Sequence, residues 1–200
     1  MSRGQFLIVV AVFSFPIAGN CLGQSISAEQ NRFYSEQKFV DEPVRKPVKL
    51  LPEAFNALAR SEIVADCLTH QNEEDSRRSA DWFVGSILHL GGTHESALVV
   101  LPNLDYKSDV IGGPIACFTG ASNSWFWILR PSASGYDLVL TVGADFIEVS
   151  TTSRSHGLRD IVANVVAGDS QVQRSVYRFD GSKYIKTSAT ATPKSSASEQ

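Results

Sequence analysis

The chain has 200 residues, with 18 lysines and arginines against 21 aspartates and glutamates and a formal net charge of −3. Removal of residues 1–23 would take away Arg3 and no acid, which leaves 17 basic and 21 acidic side chains, a net charge of −4. This mildly acidic, well-mixed composition argues against nucleic acid as a partner, because nucleic-acid-binding proteins carry basic faces. The length suits one domain and is short for two.

The first 23 residues have the layout of a secretory signal peptide. One positive charge, Arg3, precedes an apolar run from Phe6 to Gly19, and the small or polar residues Asn20–Ser25 follow. The run is shorter than the roughly 20 apolar residues of a membrane span, and Pro16 interrupts it. We therefore expect export, to the periplasm or to the cell exterior, and no transmembrane span in the mature chain.

Two fates are open at the end of this segment. Cleavage after Gly23 suits signal peptidase, because small residues stand near the cut, whereas Ala18-Gly19-Asn20-Cys21 is similar to a bacterial lipoprotein signal. Asn20 fits the lipoprotein pattern poorly, since that pattern has Gly, Ala or Ser before the cysteine. The sequence favours release over a lipid anchor at Cys21.

The other two cysteines, Cys67 and Cys117, form an even pair in a chain expected to meet an oxidising compartment. Such a pair predicts one disulfide, with two separate buried thiols as the alternative. Closing a loop of about 50 residues contributes roughly 4 kcal/mol in the chain-entropy account.

Both ends of the mature chain are predicted to lack structure. Residues 24–49 are polar and charged and contain Pro43 and Pro47, which is typical of a flexible arm. Residues 187–200 are rich in Ser, Thr and Ala, so burial cannot offset the entropy of ordering them, and we expect a disordered tail. The predicted folded unit is a single domain over residues 50–186.

One helix is predicted at the front of this domain. Pro52 suits the first helical position, and Glu53 suits the positive end of the helix dipole. Helical spacing predicts one core-facing stripe, which Ile63 would join if the helix continued: Leu51, Phe55, Leu58 and Ala59. The charged residues 72–78 are predicted to be a loop.

After residue 80 the pattern is that of short strands. Tyr136–Val142 alternates apolar and polar side chains, as in a half-buried strand, and Asp180-Gly181 is a tight-hairpin signal. With few helices between the strands, the sequence predicts a mainly β (α+β) fold. The expected form is an antiparallel meander, as a barrel, a sandwich or a bent sheet, with one N-terminal helix packed on it. Strands are predicted at 82–90, 96–101, 117–120, 124–130, 136–142, 146–151, 158–167, 172–179 and 183–186.

Four elements in the C-terminal half carry a resemblance: Trp127-Ile-Leu-Arg130, Gly135-Tyr-Asp-Leu-Val-Leu140, Gly157-Leu-Arg-Asp-Ile161 and Tyr177-Arg-Phe-Asp-Gly-Ser-Lys-Tyr184. From Ser124 to Tyr184 the chain resembles a set of uncharacterised secreted bacterial proteins. The resemblance implies an exported β-rich domain and implies no activity or catalytic residue. The closing Gly-x-Lys-Tyr is also similar to a motif of bacterial lysozyme inhibitors.

The familiar catalytic motifs are missing from the sequence. There is no Gly-x-Ser-x-Gly elbow, no Ser-x-x-Lys in a suitable context, and no phosphate-binding glycine loop, since Gly112-Gly113-Pro114 is a turn. Ser155, His156 and Asp160 offer a hydroxyl, a base and a carboxylate, but a triad of such near neighbours is rare. We predict no catalytic residue and no cofactor.

Metal binding is weakly supported by the histidines. His89 and His94 flank the Gly91-Gly92 turn, with Glu95 beside them, but the spacing of a zinc-binding helix is missing. His70 and His156 have no ligand-like spacing either. We interpret all four as surface histidines and predict no metal site.

Two features support a binding role. Trp125 and Trp127 share one strand face, which would suit stacking on a sugar or peptide if it were exposed, although a core position is the commoner one for such residues. Arg154, His156 and Arg159 could gather positive charge near one loop, although an ordinary solvated surface is the favoured interpretation.

The sequence therefore favours a non-catalytic exported domain that binds an envelope or extracellular protein or a glycan. One version is a lysozyme-inhibitor-like protein that inserts a loop into an enzyme cleft. The competing hypothesis is an exported hydrolase with an unrecognised site that uses acids such as Asp105, Asp109 and Asp160.

Overall fold

The computed structural model describes residues 32–34, 48–91, 96–108, 113–120, 123–167 and 171–193. The predictions of a signal peptide over residues 1–23 and of lipidation at Cys21 lie outside the described residues. In the described part of the chain, no helix combines the length and the apolar composition that crossing a bilayer requires.

The protein is mainly β, and its strands form two antiparallel five-stranded sheets. The helix-side sheet has the order β2-β3-β4-β5-β6, and the outer sheet has the order β1-β7-β8-β9-β10. Strands of the helix-side sheet are β2 (Val48–Lys49), β3 (Phe83–His89), β4 (Ser96–Pro102), β5 (Ser124–Ser132) and β6 (Gly135–Ala144). Strands of the outer sheet are β1 (Arg32–Tyr34), β7 (Phe146–Ser155), β8 (Leu158–Ala167), β9 (Gln171–Phe179) and β10 (Tyr184–Pro193).

The meander is confirmed, but the barrel-like alternative is wrong, because two open sheets replace one closed sheet among the described residues. The chain changes sheets at Asp145, between β6 and β7. The Asp145 amide donates to the Asn164 carbonyl (2.9 Å), and its carboxylate accepts from the Val166 amide (2.6 Å). Asp145 therefore ties the crossing point to β8, so that β7 pairs with β8 and not with β6.

Two cores lie on opposite faces of the helix-side sheet. Phe126 and Ile128 of β5 join the intersheet core with residues such as Ile161 and Phe179 of the outer sheet. Trp127 and Leu129 point the other way into the helix-side core. Because both faces of β5 are buried, its residues 125–129 are all apolar.

Three short helices replace the single predicted helix: α1 (Pro52–Leu58), α2 (Glu62–Thr69) and α3 (Glu73–Arg77). In α1 the buried residues are Ala54, Ala57 and Leu58, whereas Leu51 is 58% exposed, so the predicted stripe is partly wrong. The predicted loop at 72–78 contains α3, which begins after Asn72, whose side-chain oxygen accepts from the Asp75 amide at 2.8 Å. This cap satisfies one of the free amides of the first turn.

The predicted strand at 117–120 is also different in the structure. Pro114–Cys117 forms a 3₁₀ turn, and Thr119 makes an isolated bridge to Ser124. Cys117 is joined by a disulfide to Cys67 in α2, with a Cα–Cα distance of 6.0 Å, as predicted. The bridge fastens the helical layer to the segment that leads into β5.

Both predicted boundaries of the domain differ from the structure. The expected tail begins at residue 187, yet β10 continues to Pro193 in register with β9. At the other end, β1 and β2 lie within the predicted arm, residues 24–49. These strands are held by main-chain pairing to a neighbour, which an argument from apolar burial does not detect.

Candidate functional site

The hairpin formed by β7 and β8 carries the predicted basic residues. Its two turn residues, His156 and Gly157, have positive φ angles of 48° and 83°, as a two-residue type I′ turn requires. Glycine tolerates this backbone without strain, whereas a histidine there is uncommon. The turn places the His156 side chain on the surface at the hairpin tip.

Arg154 and Arg159 lie directly opposite each other across this hairpin. They come into register because the pairing of β7 with β8 is shifted between Val149 and Arg154. Like charges placed directly opposite each other destabilise a strand pair. Arg154 is exposed and Arg159 is half-buried, and we call these two residues the hairpin arginine pair.

The guanidinium of Arg159 is incompletely satisfied. Its Nε and Nη1 atoms are buried and have no hydrogen-bond partner in the part of the chain that the structure describes. Its backbone is fixed from both sides, because its amide donates to the Leu90 carbonyl (2.6 Å) and its carbonyl accepts from the Tyr184 hydroxyl (2.8 Å). A buried cation without a partner is costly, and an oxyanion is the ligand that would satisfy it best.

The neighbouring carboxyl group of Asp160 is used elsewhere. Asp160 is 1% exposed and accepts hydrogen bonds from the hydroxyls of Ser153 and Ser155 (2.7 Å for Ser155). It also pairs with Nε of Arg178 at 3.3 Å. Successive side chains of a strand point to opposite faces, so this network lies on the other face of β8 from Arg159.

The three groups of the hypothetical triad are close together, but they are not connected as a triad. Ser155 donates directly to Asp160, whereas a hydrolytic triad needs an imidazole between the hydroxyl and the carboxylate. His156 lies in the exposed turn and makes no hydrogen bond among the described residues. Among the described residues, the serine therefore meets a carboxylate directly, with no imidazole between the two groups.

The aromatic strand belongs mainly to the helix-side core. Trp127 is fully buried, and its indole N–H donates to the Ser61 hydroxyl at 3.1 Å. Its ring packs edge-on against Phe83 (5.4 Å between centroids) and Phe118 (5.5 Å). Trp125 is only partly buried against the same core. Trp127 therefore has no exposed ring face for stacking on a ligand, and only Trp125 retains some exposure.

The histidines that the structure describes are exposed. His70 and His89 are exposed, whereas His94 and Glu95 lie outside the described residues. Among the residues that the structure describes, no three His, Cys, Asp or Glu side chains are grouped as a metal ion would require. Cys67 and Cys117 are used in the disulfide.

An open cavity of about 450 Å³ was not predicted from the sequence. Lys49, Arg78 and Lys107 contribute positive charge to it, and Asp81 and Asp105 contribute negative charge. Lys49 is already paired with Asp81 at 2.9 Å. These residues come from three separate segments of the chain, and no local sequence pattern connects such segments.

A buried carboxyl group supports one wall of this cavity. Asp75 is 4% exposed and accepts hydrogen bonds from the Tyr106 hydroxyl (2.8 Å), the Ser108 hydroxyl (2.9 Å) and the Asn72 amide (2.8 Å). Burial alone would raise the pKa of Asp75, but these bonds and the Arg78 charge together lower it. Burial and the bond to Asp75 raise the pKa of Tyr106. The pair fixes the loop after β4 against α3.

The acids of the hydrolase hypothesis are not brought together as a set. Asp105 lines the cavity beside β2 and β3, whereas Asp160 lies in β8 of the outer sheet, and Asp109 is outside the described residues. Comparison with protein-family models, with curated proteins and with solved structures finds no match to this chain. Among the sites that the structure describes, the hairpin arginine pair has the most specific geometry, because two arginines oppose each other and buried N–H groups of one lack a partner.

Proposed function

We propose that this protein is a non-catalytic, exported binding domain that takes an anionic group of an envelope or extracellular ligand at the hairpin arginine pair. The layout of residues 1–23 supports export. The disulfide between Cys67 and Cys117 supports an oxidising compartment, either the periplasm or the exterior. The site calls for no cofactor, because two guanidinium groups suffice to bind a carboxylate, a phosphate or a sulfate.

The observation that carries the proposal is the unsatisfied Arg159 guanidinium opposite a second arginine. A domain without a ligand at this position would gain stability from an apolar residue in place of Arg159. An anion bound between the two guanidiniums would remove their repulsion and supply the missing hydrogen-bond acceptors. The arrangement therefore favours a site that is completed by a ligand.

Thermal unfolding in sodium sulfate, compared with sodium chloride at equal ionic strength, tests the proposal with a minimal oxyanion. Sulfate stabilises most proteins through exclusion from their surface. The stabilisation that comes from the proposed site is therefore the difference between the sulfate effect on the wild type and the sulfate effect on Arg159→Met. We expect sulfate at about ten times its Kd to stabilise the wild type by about 1.4 kcal/mol beyond its effect on Arg159→Met. Without sulfate, Arg159→Met should be at least as stable as the wild type.

Arg77→Met is the matched control, because Arg77 is exposed and, among the described residues, pairs with Glu73 alone, four residues before it. This variant should respond to sulfate as the wild type does. An equal response of the wild type and Arg159→Met would rule out an anion site at this position. A large loss of stability in Arg159→Met without sulfate would also rule out an anion site at this position.

The lysozyme-inhibitor alternative uses the same hairpin. Exposed Arg154 and His156 at the tip would suit a cleft that carries paired carboxylates, as glycoside hydrolases do. This version predicts that the protein slows peptidoglycan lysis by a lysozyme and that Arg154→Gln weakens the inhibition. Unchanged lysis at a molar excess of the protein would leave the general anion-binding proposal as the better one.

A further inference from the structure

The outer sheet ends in a strand with an open edge. Among the described residues β10 is the last strand of this sheet, and it pairs only with β9. From Thr187 to Pro193 it contains no charged residue. Proteins usually protect such an edge with charge, a bulge or proline, because its free N–H and C=O groups can pair with another chain.

The two ends of β10 carry a bulge and a proline that hinder pairing with another strand, and its middle carries neither. The register shifts between Lys186 and Ser188, and the strand ends at Pro193. The stretch Ser188–Thr192 between them pairs regularly with β9. Five residues of regular strand therefore present their outer main-chain groups to an incoming segment.

A hollow of about 300 Å³ lies beside this open stretch. Ala189 and Ala191 line it, and they share a sheet face with Ser175 and Gln173, their partners in β9. An added strand would direct every second side chain to this face. The small alanine side chains leave room there for uncharged side chains of a partner.

The opposite face of the same strands carries Arg174 and Arg178, and Arg178 is paired with Asp160. Arg174 is exposed and lies opposite Thr190, and Ser188 lies opposite Val176. Because Ser188 and Thr190 are short, the long Arg174 side chain can extend over β10 towards a strand added beyond it. Among the described residues, Arg174 makes no ion pair. Lys186 lies opposite Tyr177, on the face of the hollow, so Arg174 is the charge on this face that fits an acidic side chain of the partner.

We propose that the β10 edge binds an extended acidic segment of a partner protein, which adds a sixth strand to the outer sheet. Main-chain hydrogen bonds would supply affinity, and the two faces would supply specificity, with acidic residues over Arg174 and small uncharged residues in the hollow. A second copy of β10 does not fit this description, because its only charged residue is Lys186. The edge is separate from the hairpin arginine pair, so an experiment can refute either proposal without affecting the other.

The probe is a fluorescent, end-capped peptide of alternating threonine and glutamate, titrated with the full chain by anisotropy. In an added strand, only alternate amides face the protein. N-methylation of one alternate set should therefore weaken binding by about tenfold or more, whereas N-methylation of the other set should leave it nearly unchanged. General electrostatic attraction would not distinguish the two methylated peptides.

Two protein variants complete the test. Arg174→Gln should weaken binding by about two- to fivefold, as for an exposed charge pair, whereas Arg77→Gln on α3 should have no effect. Arg159→Met should also leave peptide binding unchanged, which separates this proposal from the anion site. Equal binding of both methylated peptides, no binding at all, or self-association through β10 in sedimentation experiments would overturn the proposal.

Discussion

Trp127 illustrates at the residue scale how one side chain can support both packing and a buried polar contact. It is fully buried among Phe83 and Phe118, and its N–H is satisfied by Ser61. We expect Trp127→Ala to lower the free energy of unfolding by about 3–5 kcal/mol, as for other core aromatics. Trp125→Ala should cost clearly less, because Trp125 is only partly buried. Urea denaturation of both variants measures the difference, and equal costs would contradict this assignment.

Asp75 is a buried residue whose ionisation should contribute to stability in acid. Its pKa is lowered in the folded state, because its hydrogen bonds and the Arg78 charge outweigh the opposing effect of burial. A carboxyl group with a lowered folded-state pKa stabilises the fold above its unfolded-state value, about 4, and this contribution is lost as the pH falls further. Asp75→Asn should therefore be less stable at neutral pH and lose less stability on acidification.

A second carboxyl group with a lowered pKa, for comparison, is Asp180, an exposed residue in the β9–β10 turn. Backbone hydrogen bonds from Lys183 and Ser182 lower the pKa of Asp180 to about 2. Asp180→Asn should lose only the acid sensitivity that depends on Asp180 and keep the part that depends on Asp75. Unfolding midpoints measured from pH 7 to pH 2 compare the variants, and parallel curves for the wild type and Asp75→Asn would contradict the role given to Asp75.

At the scale of elements, the disulfide links the short helix α2 to a segment that is distant in the sequence. It joins α2 to the 3₁₀ turn at Pro114–Cys117 across a sequence separation of 50 residues. The double variant Cys67→Ser and Cys117→Ser should lose roughly 4 kcal/mol, because the unfolded chain regains the entropy of the open loop. Thermal unfolding with and without a reductant checks this expectation. An unchanged midpoint after full reduction would show that the bridge adds no stability.

Elements with a strong local pattern were predictable from the sequence, and elements stabilised by their neighbours were not. The structure gives β8 the predicted bounds, Leu158–Ala167, because its apolar residues follow a hairpin turn. The second half of β10 was missed, since its order comes from pairing with β9. The sequence suggested that Arg154 and Arg159 could lie near one loop, and it favoured an ordinary solvated surface there. Arg154 and Arg159 lie directly opposite each other because of a register shift in β7, which no sequence pattern reveals.

At the scale of the whole molecule, the helix-side sheet couples two cores that use alternate residues of the same strands. Phe126 belongs to the intersheet core, and its neighbour Trp127 belongs to the helix-side core. Loss of either core would expose one complete face of β5. The layers should therefore not unfold separately, even though their packed residues form distinct clusters.

The positions of the tryptophans make this coupling measurable. The three tryptophans of the chain are Trp82, Trp125 and Trp127, and all of them lie in or against the helix-side core. Tryptophan fluorescence therefore reports on that core, whereas far-UV circular dichroism reports on the strands of both sheets. We expect the two signals to give coincident urea transitions, because the shared sheet cannot lose one core and keep the other. A fluorescence transition that precedes the dichroism transition would show that the helical layer unfolds independently.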